Sequence, residues 1–179
     1  NNIRYLAKDG TYAPIDTSIM PSDQEEFVYE NTTNRYKSYF SESTADANLV
    51  AFQAPDSRSV SFGFVDGNIS ESTVDGNTIT YPEVYEHIDS KYTITESGLL
   101  EELVVKEPTN IENIAQEVQL EGVYYKEHPN GSVTFHDEET QNIVFLMPSP
   151  IMYEQSWFYG GADGNEEILE RQQYSTGLE

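Results

Sequence analysis

Apolar and polar residues alternate with a period of two along much of this chain, and the pattern is clearest between residues 78 and 106. There Tyr92 and Ile94 interleave with Lys91, Thr93 and Thr95, the chain turns around Ser97-Gly98, and Leu99, Leu103 and Val105 share one face beyond the turn. This predicts a central β-hairpin with one side inward. Glu101 falls on the same apolar face. A carboxylate there needs a partner, Arg35 or Arg58 being the candidates, unless a β-bulge turns it outward.

The same pattern predicts strands elsewhere. Residues 11–19 form an edge segment, because Pro14 has no N–H to give to a ladder. Residues 27–29 make a short strand, residues 35–40 a half-buried one around Tyr36, and residues 49–53 and 59–65 an antiparallel pair joined through Ala54-Pro55-Asp56-Ser57. Residues 115–120 read as a further strand. Residues 123–126, 132–136 and 142–147 then form a meander, closed by Pro148 and Pro150. Asp-Gly-Asn occurs at 66–68, 75–77 and 163–165, and each Asp-Gly supplies the positive φ of a tight hairpin. None of the three continues into the acidic loop of an EF-hand, so they are expected to be turns with no bound cofactor; the calcium candidates are Asp163, Asn165 and Glu167.

Thirteen Tyr, eight Phe and one Trp, with abundant Thr, Val and Ile, favour strands over helices. With turn signals roughly every 8 to 12 residues, the expected fold is an all-β antiparallel sandwich of about ten or more strands with little helix. The expected organisation is one β-rich module over residues 1–179, with 1–76 and 77–179 as possible sub-units. No segment of about 20 to 50 residues repeats.

Nine Lys and Arg against 32 Asp and Glu give a net charge of -23, which opposes nucleic acid and anionic membranes alike. No apolar run approaches the roughly 20 residues that span a bilayer. The absence of cysteine removes disulfides and thiolate metal sites. The first ten residues lack the layout of a signal peptide, so the chain is expected to be a mature or excised fragment.

For catalysis the signals are few. His136 precedes Asp137-Glu138-Glu139 and reads as a solvated turn rather than a metal or acid–base site, and no Gly-x-Ser-x-Gly elbow occurs. With 32 acidic residues, accidental carboxylate pairs carry no information about glycoside hydrolysis. The best candidates for ligand or partner contact are Trp157, Phe158 and Tyr159, because three consecutive aromatics on a strand cannot all face one core. The competing reading turns Trp157 and Tyr159 inward as core plugs and has Phe158 alone covered by the tail or by a neighbouring domain. Three sequons, at Asn31, Asn68 and Asn130, fall in predicted turns where a glycan fits.

The runs Asp9-Gly10-Thr11-Tyr12-Ala13-Pro14-Ile15-Asp16, Tyr36-Lys37-Ser38-Tyr39-Phe40, Ile79-Thr80-Tyr81-Pro82-Glu83-Val84-Tyr85, Ile88-Asp89-Ser90-Lys91-Tyr92, Gly98-Leu99-Leu100-Glu101-Glu102 and Asn130-Gly131-Ser132-Val133-Thr134-Phe135 follow one another in an order that resembles the amino-terminal β-rich region of secreted Rhs-like, YD-repeat and wall-associated proteins. His87 departs from that pattern, standing where a small turn residue is more usual. The resemblance assigns no catalytic residues. It implies a non-catalytic structural or adhesive module of an extracellular, cell-surface protein, packing against neighbouring domains of its parent or binding an envelope component. A carbohydrate-active module, sugar-binding before glycoside hydrolase, is the alternative.

Overall fold

The computed structural model describes residues 4–7 and 9–153, together with the backbone of residues 173–175. The described residues are all-β, with antiparallel sheets and no helix, as the sequence pattern predicts. They fall into two compact units, Asn1–Val123 and Tyr124–Glu179.

The first unit opens with a two-stranded hairpin, β1 (Arg4–Leu6) and β2 (Tyr12–Pro14), turned at Gly10 with φ +81°. Then β3 (Met20–Pro21), β4 (Tyr29–Asn31), β5 (Lys37–Phe40), β6 (Val50–Gln53) and β7 (Ser59–Phe64) run as antiparallel neighbours. The chain moves to a second sheet built from β8 (Thr73–Asp75), β9 (Thr78–Tyr85), β10 (Ile88–Ile94) and β11 (Leu99–Val105). Finally β12 (Gln116–Glu121) returns to pair with β7, giving a six-stranded sheet in the order β12-β7-β6-β5-β4-β3 against the four-stranded β11-β10-β9-β8.

The two sheets share one core, which makes the unit a sandwich. Phe40, Leu49 and Val50 from the six-stranded side join Ile79, Tyr81, Ile88, Tyr92 and Ile94 from the other in a single apolar cluster. On β10 the burial is strictly alternate, with Ile88, Ser90, Tyr92 and Ile94 inward. Each large side chain removed from water in this way contributes about 1.5–3 kcal/mol. Tyrosine suits the space between two sheets because its ring fills the gap of about 10 Å and its hydroxyl reaches a polar group on the far side. Tyr81 donates to the Ser41 carbonyl at 2.7 Å and Tyr85 to the Val65 carbonyl at 2.5 Å. In the opposite direction, Tyr36 donates to the Thr95 and Gly98 carbonyls at 2.5 and 2.6 Å, fixing the turn between β10 and β11.

The period of two fails at one place inside the central stretch. Tyr81 pairs with Ser90 and Tyr85 with Ile88, so Pro82, Glu83 and Val84 oppose Asp89 alone, and Glu83 takes φ +53°. This bulge gives Pro82 a position where no ladder N–H is required. It is held by the Asp89 carboxylate, which accepts from the Glu83 N–H at 2.8 Å, and by Lys106, paired with both Glu83 and Asp89. The stretch is therefore three strands rather than one hairpin. His87 makes the extra turn in a left-handed conformation, φ +63°, with its N–H on the Glu83 carboxylate at 2.9 Å.

Asp75-Gly76-Asn77 turns the β8–β9 hairpin, with Gly76 at φ +60°. Asp66-Gly67-Asn68 does not make the predicted hairpin: Asp66 rather than Gly67 takes the positive φ, and the segment carries the chain from one sheet to the other.

Beyond Val123, the last residue of the first unit, β13 (Val123–Glu127), β14 (Val133–Asp137) and β15 (Ile143–Met147) form the expected meander, with β14 central. β16 (Ile151–Tyr153) pairs with β17 (Gln173–Ser175).

Candidate functional site

Because side chains alternate along a strand, the residues of the six-stranded sheet that do not enter the core all point to its outer face. The ladders align them in two rows. Lys37 stands opposite Gln53, Gln53 opposite Ser59 and Ser59 opposite Glu121, while Tyr39, Ala51, Ser61 and Gln119 line up beside them. Together with Asn48 and the loop segment Asp23, Gln24, Glu25, Glu26 and Phe27, these residues line a groove of about 880 Å³.

The loop is anchored at both ends. The Ser22 N–H donates to the Val28 carbonyl at 2.8 Å, the Val28 N–H to the Phe40 carbonyl at 3.0 Å, and the Phe27 ring stacks on Tyr39 with centroids 5.5 Å apart. Covered in this way, Tyr39 is buried, and burial followed by the nearby Glu30 carboxylate pushes its pKa up. The floor stays low because Ala51 and the serines are small. At one end Gly63 lets the Ala47 carbonyl lie against the sheet, since a Cβ at Gly63 would occupy the same space.

Within the groove Ser59 donates to the Glu121 carboxylate at 3.2 Å, Ser61 to the Asn48 amide oxygen at 3.1 Å, and the Lys37 ammonium to the Gln53 amide oxygen at 3.4 Å. Apart from the Glu121 carboxylate and the Lys37 ammonium these are amide and hydroxyl groups, each able to give and to accept a hydrogen bond, so the face is suited to hold a polar ligand.

Of the two alternatives for Glu101 the bulge is absent: the β10–β11 register is unbroken and Glu101 shares the face of Tyr92, but its partners are not arginines. Its carboxylate accepts from the Tyr92 hydroxyl at 2.7 Å and from the Gln116 amide at 2.5 Å, whereas Arg58 pairs with Asp56. The residue keeps an exposed surface, yet the protein packed around its carboxyl raises its pKa against the pull of the two hydrogen bonds. Burial, and then the Glu101 carboxylate, raise Tyr92 well above the usual tyrosine range.

His136 corrects the expectation of a solvated turn. It lies buried on the central strand β14, 8% exposed, with Tyr124 stacked on its ring at 5.3 Å. Its Nδ1 donates to the Gln141 carbonyl at 3.0 Å, which leaves Nε2 to accept from the Thr134 hydroxyl at 2.9 Å. Thr134 in turn accepts from Nε2 of His128 at 2.8 Å. The relay satisfies a buried imidazole; no group of three or more metal-ligating residues occurs among the described residues.

The aromatic candidates Trp157, Phe158 and Tyr159 and the calcium candidates Asp163, Asn165 and Glu167 lie outside the described residues. Of the sequons, Asn31 is not in an open turn: it is 2% exposed, and its amide donates to the Asp16 and Ser18 carbonyls, both at 2.8 Å. The Asn68 amide donates to the Glu83 carbonyl at 2.9 Å. Asn130 is exposed, and its oxygen accepts from the Ser132 N–H and hydroxyl.

Pattern reading missed the groove. The available signal was the run of small and polar residues at outward positions of successive strands, which reads as ordinary solvent face until the register joins it. No family model matches the chain, nor does any curated protein or solved structure.

Proposed function

We propose that this chain is a non-catalytic recognition module of an exported surface protein, and that it holds an envelope component on the outer face of the six-stranded sheet. The observation that carries this reading is the groove, in which Gln53, Ser59, Ser61, Gln119 and Glu121, contributed by three adjacent strands, present one continuous polar surface. Residues held by a ladder on a rigid sheet need little ordering on binding, which favours recognition. Hydrolysis of a glycoside calls for opposed carboxyls with separated protonation states. Among the described residues the carboxyl raised above its ordinary range, Glu101, sits on the Tyr92 side of β11, not in the groove. The resemblance to secreted Rhs-like and YD-repeat proteins points to the same class.

The test is retention of the full chain on insoluble envelope polysaccharide from the source cells, compared with Ser61→Trp, which fills the floor between Ala51 and Gln119 from an outward position. The wild-type chain is retained and the variant passes through with an unchanged melt. Equal retention of both removes the groove from the function.

A further inference from the structure

We infer that the groove selects an extended glycan that is neutral or carries amino groups, and turns away acidic glycans. This inference rests on the groove being the recognition face and adds the chemistry of what it takes. The side chains available to a ligand are mostly amides and hydroxyls: Asn48, Gln53, Ser59, Ser61 and Gln119. Each pairs a donor with an acceptor, and so does every sugar hydroxyl, so the two sets satisfy each other in either orientation. A peptide strand would instead need a free sheet edge or pockets for alternate side chains. Here the ladder groups of β5, β6 and β7 are already paired on both sides.

The rows cross four strands, and three gaps of about 4.8 Å make a track of roughly 14 Å, which suits a chain more than a single small solute. At one end Phe27, stacked on Tyr39, offers an aromatic wall for the C–H face of a ring.

Charge then sets the selection. Asp23, Glu25, Glu26 and Glu121 line the groove against one cation, Lys37, whose ammonium is directed at Gln53. A uronate or sulfated chain placed on this track meets like charge along its length, whereas an amino sugar meets the opposite. Discrimination by repulsion is how a polar site rejects a ligand of the right shape.

Isothermal titration of the full chain with hexamers of N-acetylglucosamine, glucosamine and galacturonic acid, followed by amide NMR shifts, tests this. The first two bind and move the amides of Tyr39, Ala51, Ser61 and Gln119, while the uronate binds about tenfold more weakly or not at all. The combined exposed changes Glu25→Gln, Glu26→Gln and Glu121→Gln narrow that gap. Uronate binding as tight as that of the neutral hexamer, or a gap untouched by the three changes, overturns the charge selection. Silence from all three hexamers overturns the glycan inference. The recognition reading survives that silence if Ser61→Trp still abolishes retention on envelope material, and falls with it if it does not.

Discussion

Tyr92 and Glu101 stand directly opposite each other in the β10–β11 ladder, and the Tyr92 hydroxyl donates to the Glu101 carboxylate at 2.7 Å. The same carboxylate accepts from Gln116, so the hydrogen bonds run from β10 through β11, the edge of one sheet, to β12, the edge of the other. A single acidic side chain thus ties the two layers along their open side.

Glu101→Gln keeps an acceptor for both donors and removes the charge. Because the folded protein raises the Glu101 pKa above its ordinary 4.5, the stability linked to this carboxyl is full below 4.5 and is lost as pH rises through the folded value. The Gln variant therefore melts above the wild type near pH 7, and the difference closes toward about pH 4. Thermal melts at the two pH values measure it; a difference that widens in acid contradicts the assignment.

Tyr36 governs the alkaline side. Burial pushes its hydroxyl up from 10.0 to about 12. A raised tyrosine stabilises fully below 10 and loses that contribution as pH climbs through about 12. Tyr36→Phe leaves two carbonyls without this donor, costs about 1–3 kcal/mol at neutral pH, and flattens the alkaline fall in urea-unfolding stability.

Gly63→Ala sets a methyl group against the Ala47 carbonyl oxygen, which is backbone and has little room to yield. The expected cost is about 1–3 kcal/mol. Gly98→Ala is the control: nothing lies within 4 Å of its Cβ position, and a change within about 0.5 kcal/mol is expected. Equal midpoints for the two variants in urea refute the close approach.

Thr134→Val removes the hydroxyl between His128 and His136 and leaves a buried imidazole nitrogen without its donor. Such a loss costs about 1–3 kcal/mol, and Thr134→Ser recovers most of it. Nitrogen-15 NMR of the wild type finds the His136 proton on Nδ1, because the Gln141 carbonyl can only accept.

Local pattern reveals much of this fold. The β10–β11 turn, the β6–β7 pair and the meander of the second unit are each written in adjacent residues, where alternation and turn chemistry act over short spans. What is set over long spans stays hidden. Nothing near Gln116 names β7 as its partner, and Ser59 and Glu121, 62 residues apart, become neighbours only through that pairing. His136 was misread for a related reason: the acidic run after it suggests solvent, while its place on the middle strand of three decides its burial. The Glu83 bulge defeats simple alternation because a proline forces extra residues into the ladder.

The late return of β12 also sets a schedule. Proteins are made from the amino terminus, and early segments organise first. The strands that supply Tyr39, Ala51 and Ser61 are complete once residue 64 has been made, but Gln119 and Glu121 must still emerge before the groove gains its last wall. Until then β7 is an unpaired edge, and the nascent chain has nowhere to seat a ligand. Maturation of the binding face and closure of the sheet are thus one event, and a chain cut short before β12 loses both together.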